Sequence, residues 1–189
     1  DKLNSLGIPN EKIIVVVSHL KDEIIGFVNR FHKGIKIVEQ KENKGTAAAV
    51  ECAESLIEDE ELIIVYGDTI FEDDLRDFIK DKNAIGVYEV NDVSRFGKIV
   101  EENGYLNEIK EKSDSGKGYI FAGLVKTKKE FIEEVKKVKM NEMSKEYYLT
   151  DVITSFNKMM AFRIYVLKGK WFDIGNEESL IEARKVFNF

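Results

Sequence analysis

Two aspartates follow apolar runs of the sequence, and both are of a type that binds a divalent cation. Asp68 ends the run LIIVYGD, where Gly67 lets the chain turn sharply and a ligand approach closely. Asp173 lies in the apolar segment WFDIG, where a lone buried carboxylate would be costly without a partner. Mg²⁺ prefers oxygen ligands and bridges phosphates, so a metal shared by the two aspartates would supply that partner.

Helix capping is the alternative role for each aspartate. Asp68 suits an N-cap for the turn or helix at FEDDL, because Asp is common at that position. Asp173 could cap the helix EESLIEA, but Asn176 fits that cap better, since Glu177 and Glu178 would then lie in the first turn. Both roles stay open for Asp68, whereas Asp173 is left for another role.

The stretch VEQKENKGTAAAVECA contains a third polar strand end, followed by a loop and a helix. Gln40 offers an amide donor and acceptor suited to a base edge, and Gly45 permits a flat ring to approach the backbone. The alternative is an ordinary strand-to-helix loop with Thr46 as the cap. Without further context, the spacing favours this alternative.

Glu111 and Lys112 in EIKEKSD, with Gly97 in RFGKIV, form another candidate group. A sugar phosphate needs a hydroxyl acceptor and a phosphate-binding cation, and this pair supplies one of each. Surface charge on a solvated strand explains the same residues and is favoured on the pattern alone. The two histidines lack partners at metal or catalytic-triad spacing.

Alternating strand-like and helix-like runs would position these residues. We predict strands at 12–18, 35–40 and 62–68, with helices at 21–31 and 46–57 between them. Such continuous β-branched runs are typical of strands buried on both faces, in a mainly parallel open sheet flanked by helices. Ligands collect at the carboxyl ends of strands in such sheets, where Gln40 and Asp68 lie.

The second half of the chain predicts a small antiparallel insertion. Asn103-Gly104 between two alternating runs is a strong hairpin signal. The other predicted elements are a helix near 72–80, a strand at 84–90, a strand at 119–125, helices at 128–138 and near 148–160, two short strands FRIYVL and KWFDIG, and a closing helix. The predicted class is therefore α/β.

Composition excludes several functions. A chain of 189 residues with 43% hydrophobic content predicts one domain. The net charge of −6 is spread along the chain and argues against nucleic acid as a partner. Cys52, the single cysteine, predicts a buried structural thiol and a cytoplasmic protein. The apolar runs are shorter than the ~20 residues of a membrane span.

Six motifs in order, QKENKGTAAAV, LIIVYGD, RFGKIV, EIKEKSD, EYYLTD and WFDIG, resemble the sugar-1-phosphate nucleotidyltransferases. The resemblance covers nearly the whole chain, and six ordered motifs are more specific than any one. It implies the Rossmann-like fold of nucleotide-diphospho-sugar transferases. The implied partners are a nucleoside triphosphate and a sugar 1-phosphate, with a homo-oligomer as a further candidate.

The resemblance also implies a role for each motif residue. It assigns base contacts to Gln40, Gly45 and Thr46, and Mg²⁺ binding to Asp68 and Asp173. It assigns the sugar phosphate to Gly97, Glu111, Lys112 and Glu146 of EYYLTD. The implied reaction is attack by the sugar's phosphate oxygen on the α-phosphorus of UTP or dTTP, with pyrophosphate leaving, catalysed by positioning and by Mg²⁺.

Two departures from the family pattern bear on activity. Some relatives carry Asn two residues before the Gly of YIFAGL, where this chain has Phe121, so a hydrogen bond to the sugar is in doubt. The family also opens with a glycine-rich triphosphate loop, whereas the only Gly-x-Gly here is in SGKGY. We therefore expect residues 1–189 to be one N-terminally incomplete domain that does not complete turnover.

Two other functions compete with this interpretation. A noncatalytic nucleotide-sugar-binding regulatory subunit is favoured by the lack of the triphosphate loop and disfavoured by the presence of both aspartates. A glycosyltransferase of similar fold is disfavoured, because Asp68 is followed by Thr69 and Ile70 and not by the usual Asp-x-Asp.

Overall fold

The structure is a computed structural model that describes residues 2–110 and 115–187. Contacts between residues divide the chain into two compact units, each built from two stretches of sequence. Unit 1 comprises Asp1–Glu60 and Lys129–Phe156, and unit 2 comprises Glu61–Lys128 and Asn157–Phe189. The expectation of one domain stays a prediction.

Unit 1 contains a parallel β-α-β arrangement. Its elements are α1 (Lys2–Ser5), β1 (Ile14–Val17), α2 (Lys21–Phe31), β2 (Lys36–Glu39), α3 (Thr46–Cys52), α4 (Phe131–Val135) and α5 (Leu149–Asn157), whose last residue belongs to unit 2. The strands β1 and β2 pair in parallel with Val15 opposite Ile37, and α2 is the crossover that a parallel pair requires. The predicted strand-helix-strand order is confirmed here.

Much of the core of unit 1 is formed by α4 and α5. Phe131 and Phe156 are buried and meet edge to face, with ring centroids 5.2 Å apart. Glu134 is buried beside them, accepts hydrogen bonds from Ser155 Oγ and Lys137 Nζ, and has its pKa lowered chiefly by the Ser155 hydrogen bond. Cys52 at the end of α3 is half-buried, and burial raises the pKa of its thiol.

Unit 2 is built on a six-stranded sheet and a separate two-stranded pair. Its elements are β3 (Glu61–Val65), β4 (Thr69–Phe71), β5 (Ala84–Val90), β6 (Lys98–Glu102), β7 (Tyr105–Lys110), β8 (Gly118–Lys128), β9 (Arg163–Val166), β10 (Trp171–Asp173) and α6 (Glu177–Val186). The sheet has the order β3-β8-β5-β9-β7-β6, with β8 also pairing β6, and β4 pairs β10.

The α/β class is confirmed, but the mainly parallel strand direction is wrong for the sheet of unit 2. The long strand β8 lies between β3 and β5 and is antiparallel to both, and β5 is parallel only to β9. The run from Ala122 to Lys126 in β8 is buried throughout. A continuous apolar run indicates a strand covered on both faces, and burial of that kind does not depend on strand direction.

The hairpin prediction is confirmed. The strands β6 and β7 are antiparallel and joined by Asn103 and Gly104, whose φ angles are 54° and 80°. Two consecutive positive φ angles are typical of the type I′ turn, whose twist matches that of the flanking strands. The side chain of Glu101 closes the turn by accepting the Gly104 N–H at 2.9 Å.

The predicted helix near 72–80 is wrong. This stretch follows β4, which ends at Phe71, and contains only a single 3-10 turn, Phe78–Lys80. The Asp74 side chain accepts the Arg76 N–H, which offers the backbone a local alternative to a helical bond. The Glu72 and Asp73 carboxylates accept hydrogen bonds from the backbone N–H groups of residues 168–170.

Among the residues that the structure describes, no helix has the length and apolar content needed to cross a membrane.

Candidate functional site

The two-stranded pair of unit 2 brings Asp68 and Asp173 together. Asp173 is the last residue of β10 and lies opposite Thr69, the first residue of β4. The N–H of Ile174 donates to the carbonyl oxygen of Asp68 at 2.7 Å, so the pairing extends to Asp68 itself. The antiparallel register therefore places two aspartates from distant parts of the sequence at one end of the ladder.

The electrostatics of Asp173 reflect this proximity. Its pKa is raised, first by partial burial of the carboxyl group and then by the negative charge of Asp68, while Arg95 opposes the shift. The residue as a whole is exposed, so solvent reaches the carboxylate despite the desolvation. Bringing two aspartates together has an electrostatic cost that a bound cation would offset.

The capping alternatives for both aspartates are wrong. Asn176 is the N-cap of α6 in a capping box, in which its side chain accepts the Ser179 N–H at 2.9 Å and its backbone N–H donates to Ser179 Oγ. Asp173 is thus not required as a cap. Asp68 is followed by the strand β4, so there is no helix at that point for it to cap.

The turn that carries Asp68 is held against β8. Tyr66 N–H donates to the Gly123 carbonyl at 2.9 Å, and Thr69 Oγ1 donates to the Tyr66 carbonyl at 2.9 Å. Gly123 has a φ of 75°, and a Cβ there would lie 2.9 Å from Tyr66 Cβ. The position of Asp68 is therefore fixed by backbone contacts.

Gly67 differs from its prediction in one respect. Its φ is not positive, so the sharp turn does not itself require glycine. A Cβ at Gly67 would meet nothing within 4 Å. The space beside this exposed residue is compatible with close approach of a ligand, which stays a prediction.

The acidic pair fits a Mg²⁺ ion. Mg²⁺ is commonly bound through one or two carboxylates, while water and substrate phosphates complete its coordination. Asp68 and Asp173 are both exposed residues, so such ligands have access. Across residues 2–110 and 115–187, no cluster of three or more acidic, His or Cys side chains could hold a metal. A two-carboxylate site is what these residues offer.

The second cluster lies in unit 1, around Gln40. This side chain is 6% exposed, and its Nε2 donates to the Gly45 carbonyl at 3.0 Å. Within the described part of the chain, no group donates to its Oε1. The amide is thereby oriented, and its oxygen is left as an acceptor.

Gly45 serves the packing of the chain against itself. Its φ is 93°, and a Cβ would lie 2.7 Å from the Tyr147 carbonyl oxygen and 2.9 Å from Glu146 Cβ. The predicted reason for glycine was the approach of a flat ring. Instead, the backbone of Tyr147 occupies the neighbouring space, which explains the glycine without a ligand.

Thr46 also has a role that neither sequence interpretation anticipated. Its Oγ1 accepts a hydrogen bond from the N–H of Leu149, the first residue of α5, at 2.9 Å. Thr46 therefore does not cap its own helix, α3. Tyr147 completes the connection by donating to the Lys44 carbonyl and accepting from Ala47 N–H. The structure thus brings Gln40, Gly45, Thr46 and Glu146 together in unit 1.

The remaining predicted residues are placed less fully. Glu111 and Lys112 lie outside the described residues. Gly97 is half-buried and directly precedes β6. Phe121 is half-buried on β8 and meets Tyr66 edge to face, with ring centroids 5.5 Å apart. The side chain at 121 therefore supplies an aromatic surface where some relatives have an amide.

Arg95 is a charged residue that sequence reasoning did not consider, and its charge affects the pKa of Asp173. It lies in the turn between β5 and β6, where the Asp92 carboxylate accepts hydrogen bonds from the Ser94 N–H, Ser94 Oγ and the Gly116 N–H. Arg95 is exposed, and its positive charge acts to lower the pKa of Asp173. It belongs to the motif RFGKIV, in which Gly97 is the residue that the resemblance assigns to the sugar phosphate.

Curated relatives of the chain are found among bifunctional proteins. GlmU of Methanocaldococcus jannaschii is 36% identical over 178 residues, which are 93% of this chain and 43% of that protein. GlmU of Bartonella bacilliformis is 30% identical over 158 residues, which are 76% of this chain and 35% of that protein. The chain thus spans less than half the length of either relative.

Solved structures share the fold. HddC of Yersinia pseudotuberculosis, in complex with GMP-PN, has a TM-score of 0.74 and 26% identity, covering 98% of this chain and 82% of that one. An apo UDP-glucose pyrophosphorylase has a TM-score of 0.81 at 19% identity, covering 99% of this chain and 84% of that one. At 19% identity, the match to the pyrophosphorylase supports only the fold, which is the predicted nucleotide-diphospho-sugar transferase fold.

Residues 7–188 match the family described as nucleotidyl transferase, which is almost the whole chain. The relatives and the fold agree with this match. The chain therefore belongs to the nucleotidyl transferase family, as its resemblance to the sugar-1-phosphate nucleotidyltransferases predicts.

Proposed function

We propose that this chain is the nucleotidyl-transfer region of an enzyme that joins UTP or dTTP to a sugar 1-phosphate, forming a nucleotide sugar and pyrophosphate. The observation that carries the proposal is the pairing of β4 with β10, which brings Asp68 and Asp173 together. Family membership supports the reaction class, and the acidic pair supports the need for a metal.

In the proposed mechanism, Asp68 and Asp173 would hold Mg²⁺, which would neutralise charge that develops on the phosphoryl oxygens. The aspartates act by position and charge, since in-line attack of the sugar's phosphate oxygen on the α-phosphorus needs no covalent enzyme intermediate. The bond from the α-phosphorus to the bridging oxygen breaks, and pyrophosphate carries away the electron pair.

Recognition of the base is assigned to Gln40. Its Nε2 donates to the Gly45 carbonyl, so Oε1 would be the atom that accepts from a ligand donor such as the N3–H of uracil or thymine. The assignment of Gly45, Thr46 and Gly67 to the nucleotide rests on the resemblance. Binding of the sugar phosphate by Gly97, Glu111, Lys112 and Glu146 rests on the resemblance.

The test combines binding with turnover. UTP and dTTP are titrated with and without Mg²⁺ by calorimetry, on this chain and on one extended upstream to include any glycine-rich loop. Pyrophosphate release by both chains is followed with glucose 1-phosphate and N-acetylglucosamine 1-phosphate. Asp68→Asn and Asp173→Asn are each expected to abolish Mg²⁺-dependent nucleotide binding and to leave the fold intact. Glu182→Gln, an exposed acidic residue on α6, is the matched control and is expected to bind as the wild type does.

Two outcomes would overturn parts of this proposal. Unchanged nucleotide binding in both aspartate variants would remove the metal assignment. Tight binding of a nucleotide sugar, with no pyrophosphate release even from the chain extended upstream in the presence of both substrates, would favour the regulatory subunit over the enzyme.

A further inference from the structure

The helix α2 of unit 1 carries a stripe of apolar side chains that are open to solvent. Leu20 is 56% exposed, Ile24 is 38% exposed, and Phe27 and Phe31 are each 57% exposed. The two phenylalanine rings touch, with centroids 4.9 Å apart, whereas Val28 on the neighbouring side of the helix is buried. These four exposed residues form the α2 stripe. A contiguous apolar surface of this kind is typical of a site that binds another protein.

The spacing of the α2 stripe is that of a surface on which helices pair. Its four members follow one another at intervals of four, three and four residues. The same alternation defines the a and d positions of a coiled coil, where each side chain packs between side chains of a second helix. The helix spans 11 residues, so the stripe extends over about 16 Å. It therefore suits a second helix of similar length.

The backbone at Leu20 gives a separate indication. This residue precedes α2 as its N-cap and has a φ of 55° and a ψ of 27°, in the left-handed region. That conformation is unfavourable for leucine, and a polar residue at the same position would also cap the helix. Local structure therefore does not explain a leucine here. Burial of its side chain against a partner would explain it.

Two charges beside the α2 stripe indicate which partner fits. Glu23 and Arg30 lie seven residues apart, so they flank the stripe along the same edge, on the side away from Val28. Both are exposed, and within the described part of the chain neither belongs to a salt bridge. The guanidinium of Arg30 lies 5.0 Å from the centre of the Phe31 ring, directly beside the stripe.

This arrangement of charges is complementary to itself. The acidic residue lies near the start of α2 and the basic residue near its end. When two copies of α2 pack antiparallel, Glu23 of each copy faces Arg30 of the partner subunit. A twofold axis relates the two ion pairs, as in an isologous interface. A parallel arrangement would place like charges side by side.

We propose that two copies of this chain associate through antiparallel α2 helices. Leu20 packs against Phe31 of the partner subunit, and Ile24 packs against Phe27 of the partner subunit. The contact is confined to one short helix, so the dimer is weak and its dissociation constant lies in the micromolar range. The inference does not depend on the proposed function, because α2 contains none of the candidate site residues.

The experiment measures the dissociation constant of the 189-residue chain by sedimentation, from low micromolar to submillimolar concentrations. The variants are Phe27→Ser, Glu23→Arg, Arg30→Glu and the double variant that exchanges the two charges. Asp22→Arg is the control, since it reverses an exposed charge on the opposite side of the same helix. Circular dichroism checks that each variant is folded.

Phe27→Ser is expected to weaken the dimer by about 10-fold or more, because it removes a central apolar contact twice per dimer. Each single charge reversal should weaken it by about 5- to 30-fold, because two attractive pairs become repulsive. The double variant should associate as the wild type does. An equimolar mixture of Glu23→Arg and Arg30→Glu should also associate, since each copy then meets the opposite charge. Asp22→Arg should match the wild type.

Four results would overturn the inference, and each of them leaves the proposed function standing. The first is a wild type that stays monomeric at every concentration. The second is a dimer that neither charge reversal weakens, because the interface would then lie elsewhere. The third is a mixture of the two reversed variants that does not associate, since the helices would then not be antiparallel. The fourth is a chain extended upstream that stays monomeric while this chain dimerises, because the added segment would then cover the α2 stripe.

Discussion

Replacing Gly45 with alanine should destabilise unit 1, and the size of the loss can be worked out from two contributions. The first is backbone strain, because a φ of 93° with a ψ of −177° is a conformation that only glycine adopts readily. The second is overlap, because the new Cβ would lie 2.7 Å from the Tyr147 carbonyl oxygen. Together these predict a loss of about 3–5 kcal/mol in the free energy of unfolding.

Two other glycines of unit 1 separate these contributions. Gly7 has a φ of 82° and open space around its missing Cβ, so Gly7→Ala carries strain without overlap and should cost about 1 kcal/mol. Gly26 lies inside α2 with neither feature, so Gly26→Ala should stabilise by about 0.5–1 kcal/mol through helix propensity.

The assay is urea denaturation followed by far-ultraviolet circular dichroism, with the three variants compared under one set of conditions. The expected order of stability is Gly26→Ala, wild type, Gly7→Ala and then Gly45→Ala. A Gly45→Ala variant no less stable than Gly7→Ala would refute the contact with Tyr147. In that case the requirement for glycine at this position would have to come from a ligand, as the sequence interpretation had it.

Two predictions concern titration. Glu134 has a lowered pKa, so the stability that it contributes is full above the ordinary carboxyl pKa and is lost as the pH falls through the lowered value. Glu134→Gln should therefore flatten this part of the pH dependence of stability, measured by urea denaturation. Ser155→Ala should raise the pKa of Glu134, because it removes the main hydrogen bond to the carboxylate. If Glu134→Gln loses stability with falling pH as the wild type does, the role of Glu134 would be contradicted. In metal-free protein, Asp68→Asn should lower the pKa of Asp173 towards its ordinary value, measured by carbon-13 NMR of the carboxyl group, because Asp68 is one of the causes that raise it. A pKa that does not move would show that the carboxylates do not interact.

Local signals in the sequence predicted much of the fold. The β-branched runs separated by an amphipathic helix indicated β1, α2 and β2, and the structure has α2 at the predicted bounds of 21–31. Asn103-Gly104 indicated the hairpin, and Asn176 the start of α6. Each of these depends on residues within one or two turns of chain, so the amino-acid types suffice.

Predictions failed where distant residues compete with local preference. The segment near 72–80 has helix-forming residues, but its acidic side chains bind the backbone of residues 168–170 and a buried Leu75 and Phe78 hold it in place. The direction of β8 relative to its neighbours could not be predicted from the sequence either, because parallel and antiparallel central strands can both be buried on two faces.

By itself, the sequence determined the residue types of the candidate site, the order of its motifs and, through these, the family. Only the tertiary structure decided what each residue contacts. The pairing of β4 with β10 joins Asp68 to Asp173, the N–H of the first residue of α5 donates to the hydroxyl of Thr46, and the Asp92 carboxylate joins the turn after β5 to Gly116. These contacts join residues far apart in the chain, and their partners are set by sheet register and packing, which local patterns do not encode.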